Sequence, residues 1–217
     1  MTTTEATDPY LADQEDLEKQ LTGAKWRRFA VLGDSIAEGM GEATPGYADR
    51  TWFDRVHATL SRTHEVDLRN VAQRDLRAAD IRAKQLPAAV EFGPDLAVLI
   101  AGGNDLFSRG FDPDLVEADL DAIVGTLRAG GATVIAVTLM DIVSAVPQLA
   151  GGAMDRLPIL NERTRAVCAR HGALVLDAFV HPMCAERNVY SADFKHPTMR
   201  GHAILAIETL RLLAAAQ

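Results

Sequence analysis

Residues 96–105 read Leu-Ala-Val-Leu-Ile-Ala-Gly-Gly-Asn-Asp. The run Leu96 to Ile100 has no polar face, so it reads as a strand buried on both sides, as in the middle of a parallel sheet. The Gly-Gly-Asn-Asp that follows is turn chemistry. The same alternation repeats outward from it. Towards the N-terminus, Phe29 to Leu32 is an apolar run closed by Gly33. Residues 48–62 carry Trp52, Val56 and Leu60 at helical spacing, Val66 to Ala72 reads as a strand, and residues 76–91 as a helix kinked or split by Pro87. Towards the C-terminus, Asp112-Pro113 supplies an N-cap and a first-turn proline. The helix behind it has the stripe Val116, Leu120, Ile123, Val124 and Leu127, and Gly130-Gly131 stops it. Thr133 to Thr138 and Ala173 to Leu176 read as strands, 156–171 and 197–215 as helices. Strands alternating with helices predict an α/β domain, a parallel sheet with helices on both faces.

The composition agrees with one such domain. The chain has 217 residues, 48% of them hydrophobic, enough to bury a core without a disulfide or metal. Its 22 basic and 30 acidic residues leave a net charge of −8, which argues against a nucleic-acid partner. No apolar run approaches the ~18 residues of a membrane span. Residues 1–25 hold Glu5, Asp8, Asp13, Glu15, Asp16 and Glu18 against Lys19 and Lys25, with no apolar leader, so a cytoplasmic protein is expected. That segment reads as a loose acidic arm, with at most a short helix around Leu17 and Leu21, ahead of a domain over 26–217. Cys168 and Cys184 match no metal or disulfide spacing and are expected to be reduced.

In such sheets ligands bind beyond the carboxyl ends of the strands. After the first strand stands Gly33-Asp34-Ser35-Ile36-Ala37-Glu38-Gly39. Ser35 is either a nucleophile or a helix cap. The GxSxG elbow is absent, and Gly39-x-Gly41 lacks the third glycine of a dinucleotide loop. Asn104 is either an oxyanion donor or a turn residue. In Asp193-Phe194-Lys195-His196-Pro197 the carboxylate can reach the imidazole across one turn, as a Ser–His–acid triad requires, or simply cap a helix.

Together these segments resemble the SGNH hydrolases of the GDSL esterase/lipase superfamily, from about Phe29 to Leu213, through GDSxxxG, AGGND and DxxH followed by Pro and a Gly-His. The resemblance implies a flavodoxin-like three-layer α/β/α sandwich with strand order 2-1-3-4-5. It implies a serine hydrolase that cleaves an ester or thioester of a small acyl substrate through an acyl-enzyme, with no cofactor or metal. On the same ground Ser35 is the nucleophile, His196 the general base and then acid, and Asp193 its orienter. Asn104 and the Ser35 N–H hold the oxyanion, Asp34 and Asp105 are structural, and His202 packs near the site. Two other outcomes stay open: transfer of the acyl group to an alcohol or amine, and a weakened binding protein on the same fold.

One motif departs from the family. The stretch Asn70-Val71-Ala72-Gln73-Arg74-Asp75 places Asp75 where the family has the glycine whose N–H completes the oxyanion hole. Asp75 can face outward, paired to Arg74 or Arg77; it can meet a cationic group of the substrate; or it can impair the hole. The long apolar segment 141–157 follows the fourth strand, and Val146 and Leu149 are expected to form a substrate wall there, against the alternative of a loop packed on the core. His171, His181 and Asp177 flank the last strand without ligand spacing, so no metal is expected. Arg74, Arg77 and Arg82 read as a solvated face. The sequence is silent on oligomeric state.

Overall fold

The computed structural model describes residues 3–217. Five strands, β1 (Arg28–Gly33), β2 (Asp67–Asn70), β3 (Leu96–Ile100), β4 (Thr133–Val137) and β5 (Leu174–Leu176), form one parallel sheet in the order β2-β1-β3-β4-β5. Phe29 lies beside Leu96 and Leu68, Val98 beside Ile135, and Ile135 beside Leu174. The residue pattern sets this order. Every residue of β3, and all of β1 except Arg28, is buried, which suits central strands. In β2, Asp67 and Arg69 are exposed while Leu68 and Asn70 are half-buried, an alternation that suits an edge.

Ten helices cover the sheet: α1 (Gln14–Gln20), α2 (Ser35–Glu38), α3 (Trp52–Leu60), α4 (Ala78–Lys84), α5 (Leu86–Phe92), α6 (Gly103–Leu106), α7 (Pro113–Ala129), α8 (Ile142–Ala145), α9 (Leu157–His171) and α10 (Met199–Ala215). One layer is built around α10, packed with α1 and α3, and the other around α7, packed with α4, α5 and α9. The result is the three-layer, flavodoxin-like α/β/α sandwich that the sequence implies. The five stripe residues of α7 are all buried, and Asp112 caps its first turn. Pro87 divides the expected 76–91 helix: it lies in the first turn of α5, and Gln85 is left between α4 and α5.

Some expectations need correction. The helix expected from residue 48 begins at Trp52, because the Thr51 hydroxyl caps it by accepting from the Asp54 N–H at 3.3 Å. The segment 141–157, read from the sequence as a long apolar loop, holds α8 and two 3₁₀ turns, Pro147–Leu149 and Gly152–Arg156. The N-terminal segment is not loose. Leu11, Leu17, Leu21 and Ala24 are buried in the main core. The Asp8 carboxylate, fully buried, accepts from Arg200 Nε at 2.7 Å and from the Tyr47 hydroxyl at 2.7 Å. Arg200 is itself only 2% exposed and also pairs with Glu186. The sequence pattern hid this packing because its apolar residues are few and its charges many, and their partners are distant: Arg55 for Glu5, Arg62 for Glu18, and Arg200 and Arg211 of α10 for Asp8 and Asp13.

Candidate active site

The site is built at the carboxyl end of β1. Gly33 has φ 142°, and a Cβ there would stand 2.0 Å from the Ile100 carbonyl oxygen, so only glycine fits between β1 and β3. On its other side the ladder to β2 stops at Asn70. The buried Gln85 side chain takes the place of a strand: its Nε2 donates to the Gly33 carbonyl and its Oε1 accepts from the Gly33 N–H, each at 2.8 Å. Asn161 on α9 does the same for Leu139 just past β4, at 2.8 and 2.9 Å. Sequence reading missed both amides, since neither lies in a motif.

Asp34 then caps α2, accepting from the Ile36 N–H at 3.2 Å, and Ser35 is the first residue of that helix. Burial pushes the Asp34 carboxyl up to about 6, against the pull of the Ile36 N–H and the nearby His196. The Ser35 hydroxyl lies 2.8 Å from His196 Nε2, across 161 residues of sequence. His196 Nδ1 lies 2.5 Å from Asp193 Oδ2. The other Asp193 oxygen accepts from the backbone N–H groups of Lys195 and His196 at 2.9 and 3.1 Å, with Phe194 between them at φ 59°. Burial alone would raise the Asp193 carboxyl, but these three donors outweigh it and hold the group below the ordinary carboxylate range. With Nδ1–H donated to a carboxylate, Nε2 is left as the acceptor facing Ser35.

Three donors converge on the same cavity. Asn104 gives one amide N–H to the Leu76 carbonyl at 2.9 Å and keeps a second. Among the described residues, neither the Ser35 N–H nor the Asp75 N–H has an acceptor in the protein. Asp75 has φ 65°, the left-handed conformation for which a glycine is ordinarily used. Its expected pairing does not form. Arg74 is held by Glu38, with Nη2 at 2.8 Å from Oε1 and its own N–H at 2.7 Å from Oε2, and among the described residues the Asp75 carboxylate makes no ion pair with Arg74 or Arg77. Arg82 pairs with Asp119 at 3.2 Å. Asp105 supplies the cap that α4 lacks locally, accepting from the Ala78 N–H at 3.0 Å.

The cavity measures about 360 Å³. Its apolar lining comes from Leu139, Met140, Ile142, Met154 and Leu157 of the segment after β4, and from Leu106, Phe107, Tyr190 and Phe194. Val146 and Leu149 do not line it; they pack on the core from turns beyond α8, and the same segment contributes Ile142 and Met154 instead. His202 is buried beside the site. It accepts at Nδ1 from the Trp52 N–H at 3.2 Å and lies with Nε2 3.1 Å from the Met40 carbonyl; burial brings it down to about 4. His171, His181 and Asp177 do not converge: they pair with Asp121, Glu208 and Arg165 respectively.

A family model described as GDSL-like lipase/acylhydrolase matches residues 31–204, which include Ser35, Asp75, Asn104, Asp193 and His196. The chain belongs to this GDSL-like family. Several solved structures share its fold. One is a lipase/acylhydrolase from Enterococcus faecalis, at 20% identity, covering 88% of this chain and 96% of that one with a TM-score of 0.70. Another is the acetylxylan esterase Axe2 from Geobacillus stearothermophilus, at 20% identity, 86% and 94% coverage and a TM-score of 0.69. A third, the lipase Lip_vut3 from a goat rumen metagenome, is 18% identical, with 86% and 97% coverage and a TM-score of 0.69. At these identities the likeness to the GDSL-like chain is one of fold. No curated protein matches the sequence. Among the described residues no helix is long and apolar enough to cross a membrane.

Proposed function

We propose that this GDSL-like family member is a serine hydrolase that cleaves an ester or thioester of a small acyl substrate through an acyl-enzyme on Ser35. The observation that carries this reading is the unbroken relay from Asp193 through His196 to Ser35, at 2.5 and 2.8 Å. His196 Nε2 takes the hydroxyl proton as the Ser35 oxygen attacks the substrate carbonyl, and Asp193 holds the ring and stabilises the imidazolium. The same Nε2–H then protonates the leaving group. A water deprotonated by His196 cleaves the acyl-enzyme and frees the acid.

The oxyanion is received by the Ser35 N–H, the Asp75 N–H and the second N–H of Asn104. The left-handed backbone at Asp75 and the absence of competing acceptors support a working hole over a weakened binding protein. The cavity of about 360 Å³, walled mainly by apolar side chains, suits a small acyl group.

A fluorophosphonate probe tests the reading. We expect one label per chain and complete loss of label in Ser35→Ala, with p-nitrophenyl butyrate hydrolysis lost in parallel. A folded wild-type protein that takes no label overturns it.

A further inference from the structure

Asp75 carries two unfavourable features at one position. Its backbone has φ 65°, which a side chain makes costly. Its carboxylate is also an anion on the wall of a cavity in which, in the proposed reaction, negative charge develops. A glycine would present the same free N–H with neither penalty. Nothing in the protein offsets the second, because Arg74 is committed to Glu38 and the Asp75 carboxylate has no ion-pair partner among the described residues. An outlier of this kind at a site wall points to a group that arrives with the ligand.

The charges on the wall set the sign of that group. The charged or titratable residues lining the cavity are Asp34, Arg74, Asp75, Tyr190, Lys195 and His196, and burial holds the Tyr190 hydroxyl well above its ordinary value, so that it stays neutral. Glu38 cancels Arg74, and Asp193 faces His196. What remains is Asp34 and Asp75 against Lys195, whose ammonium sits 5.2 Å from the centre of the Phe107 ring. Asp34 is buried beneath the site, so Asp75 is the exposed anion.

We propose that the Asp75 carboxylate is a specificity determinant of this site, receiving an ammonium group carried by the ester substrate. The inference rests on the ester-hydrolase reading above and adds the class of substrate. Lys195 works against it from the opposite loop, so its removal strengthens the preference.

Two acetates of equal shape test it: the 2-(trimethylammonio)ethyl ester and its uncharged carbon isostere, the 3,3-dimethylbutyl ester. At low salt we expect kcat/KM to favour the charged ester about tenfold, the scale on which a cleft of one sign concentrates its counter-ion. The ratio should fall towards one in Asp75→Asn and Asp75→Gly, hold in Asp75→Glu, rise in Lys195→Gln, and shrink as salt is added. A wild-type ratio near one, or a preference that survives Asp75→Asn, overturns the proposal. The same pair is measured by calorimetric binding to Ser35→Ala protein, with the same expected ratio. A folded protein that takes no fluorophosphonate label but binds the charged ester preferentially through Asp75 refutes the hydrolase reading and sustains the specificity; hydrolysis of both without preference does the reverse.

Discussion

Asp34 stabilises one structure and pays in another currency. Its cap on α2 fixes the residue before Ser35, yet its carboxyl is buried and keeps its proton up to about pH 6, against an ordinary value of 3.8. Folding therefore has the full contribution of this group below about pH 4 and loses it as pH rises through 6. The asparagine variant keeps an oxygen for the Ile36 N–H and carries no charge. Asp34→Asn should be more stable than the parent at pH 7.5, by about 3 kcal/mol at most, with the gain fading towards pH 4. Urea unfolding at the two pH values measures this, and a variant that gains nothing at pH 7.5 shows that the charge is compensated elsewhere. At this scale the sequence was largely legible. Ser35, Asn104, Asp193 and His196 sit in short contiguous motifs whose chemistry is local. Asp75 was legible as a departure but not in its pairing, because the commitment of Arg74 to Glu38 spans 36 residues.

At the scale of elements, strands and helices were legible where the apolar pattern was long. β3 was read to the residue, and the α7 stripe is buried as the spacing requires. Less could be read where side chains stand in for backbone. The two amides that finish the sheet, Gln85 between α4 and α5 and Asn161 on α9, pair with strand ends 52 and 22 residues away, at Gly33 and Leu139. Gln85→Leu fills the same space but leaves the buried Gly33 N–H without an acceptor, a loss of about 1–3 kcal/mol. The variant should also lower kcat for p-nitrophenyl butyrate by roughly tenfold or more, since Ser35 is placed by this strand end and misplacement by a fraction of an ångström is costly. Chemical denaturation and initial rates check the two effects separately. A stable Gln85→Leu with full kcat means that β3 and the Gln73 N–H, which donates to the Gly33 carbonyl at 3.1 Å, hold Gly33 without it.

The whole molecule is closed by contacts between its two ends. Asp8 and Arg200 are buried together, and the Gln217 side chain donates to the Gln20 carbonyl at 3.0 Å. Removing one partner of a buried pair strands the other charge, at about 3–5 kcal/mol. Because Glu186 and Asn188 still reach Arg200, Asp8→Asn is expected at the lower end, about 3 kcal/mol, read as a fall in Tm. A Tm within error of the parent means that Glu186 suffices. The family match covers residues 31–204, so it includes Arg200 but not Asp8, and the closure could not be read from the motifs alone. It also fixes a timetable. Asp8 leaves the ribosome 192 residues before Arg200, a delay of roughly ten to forty seconds at ordinary translation rates. Through that interval the first segment is an acidic tether without its partner, Ser35 and His196 have not met, and a chaperone or protease meets a sheet whose outer layer still lacks α10.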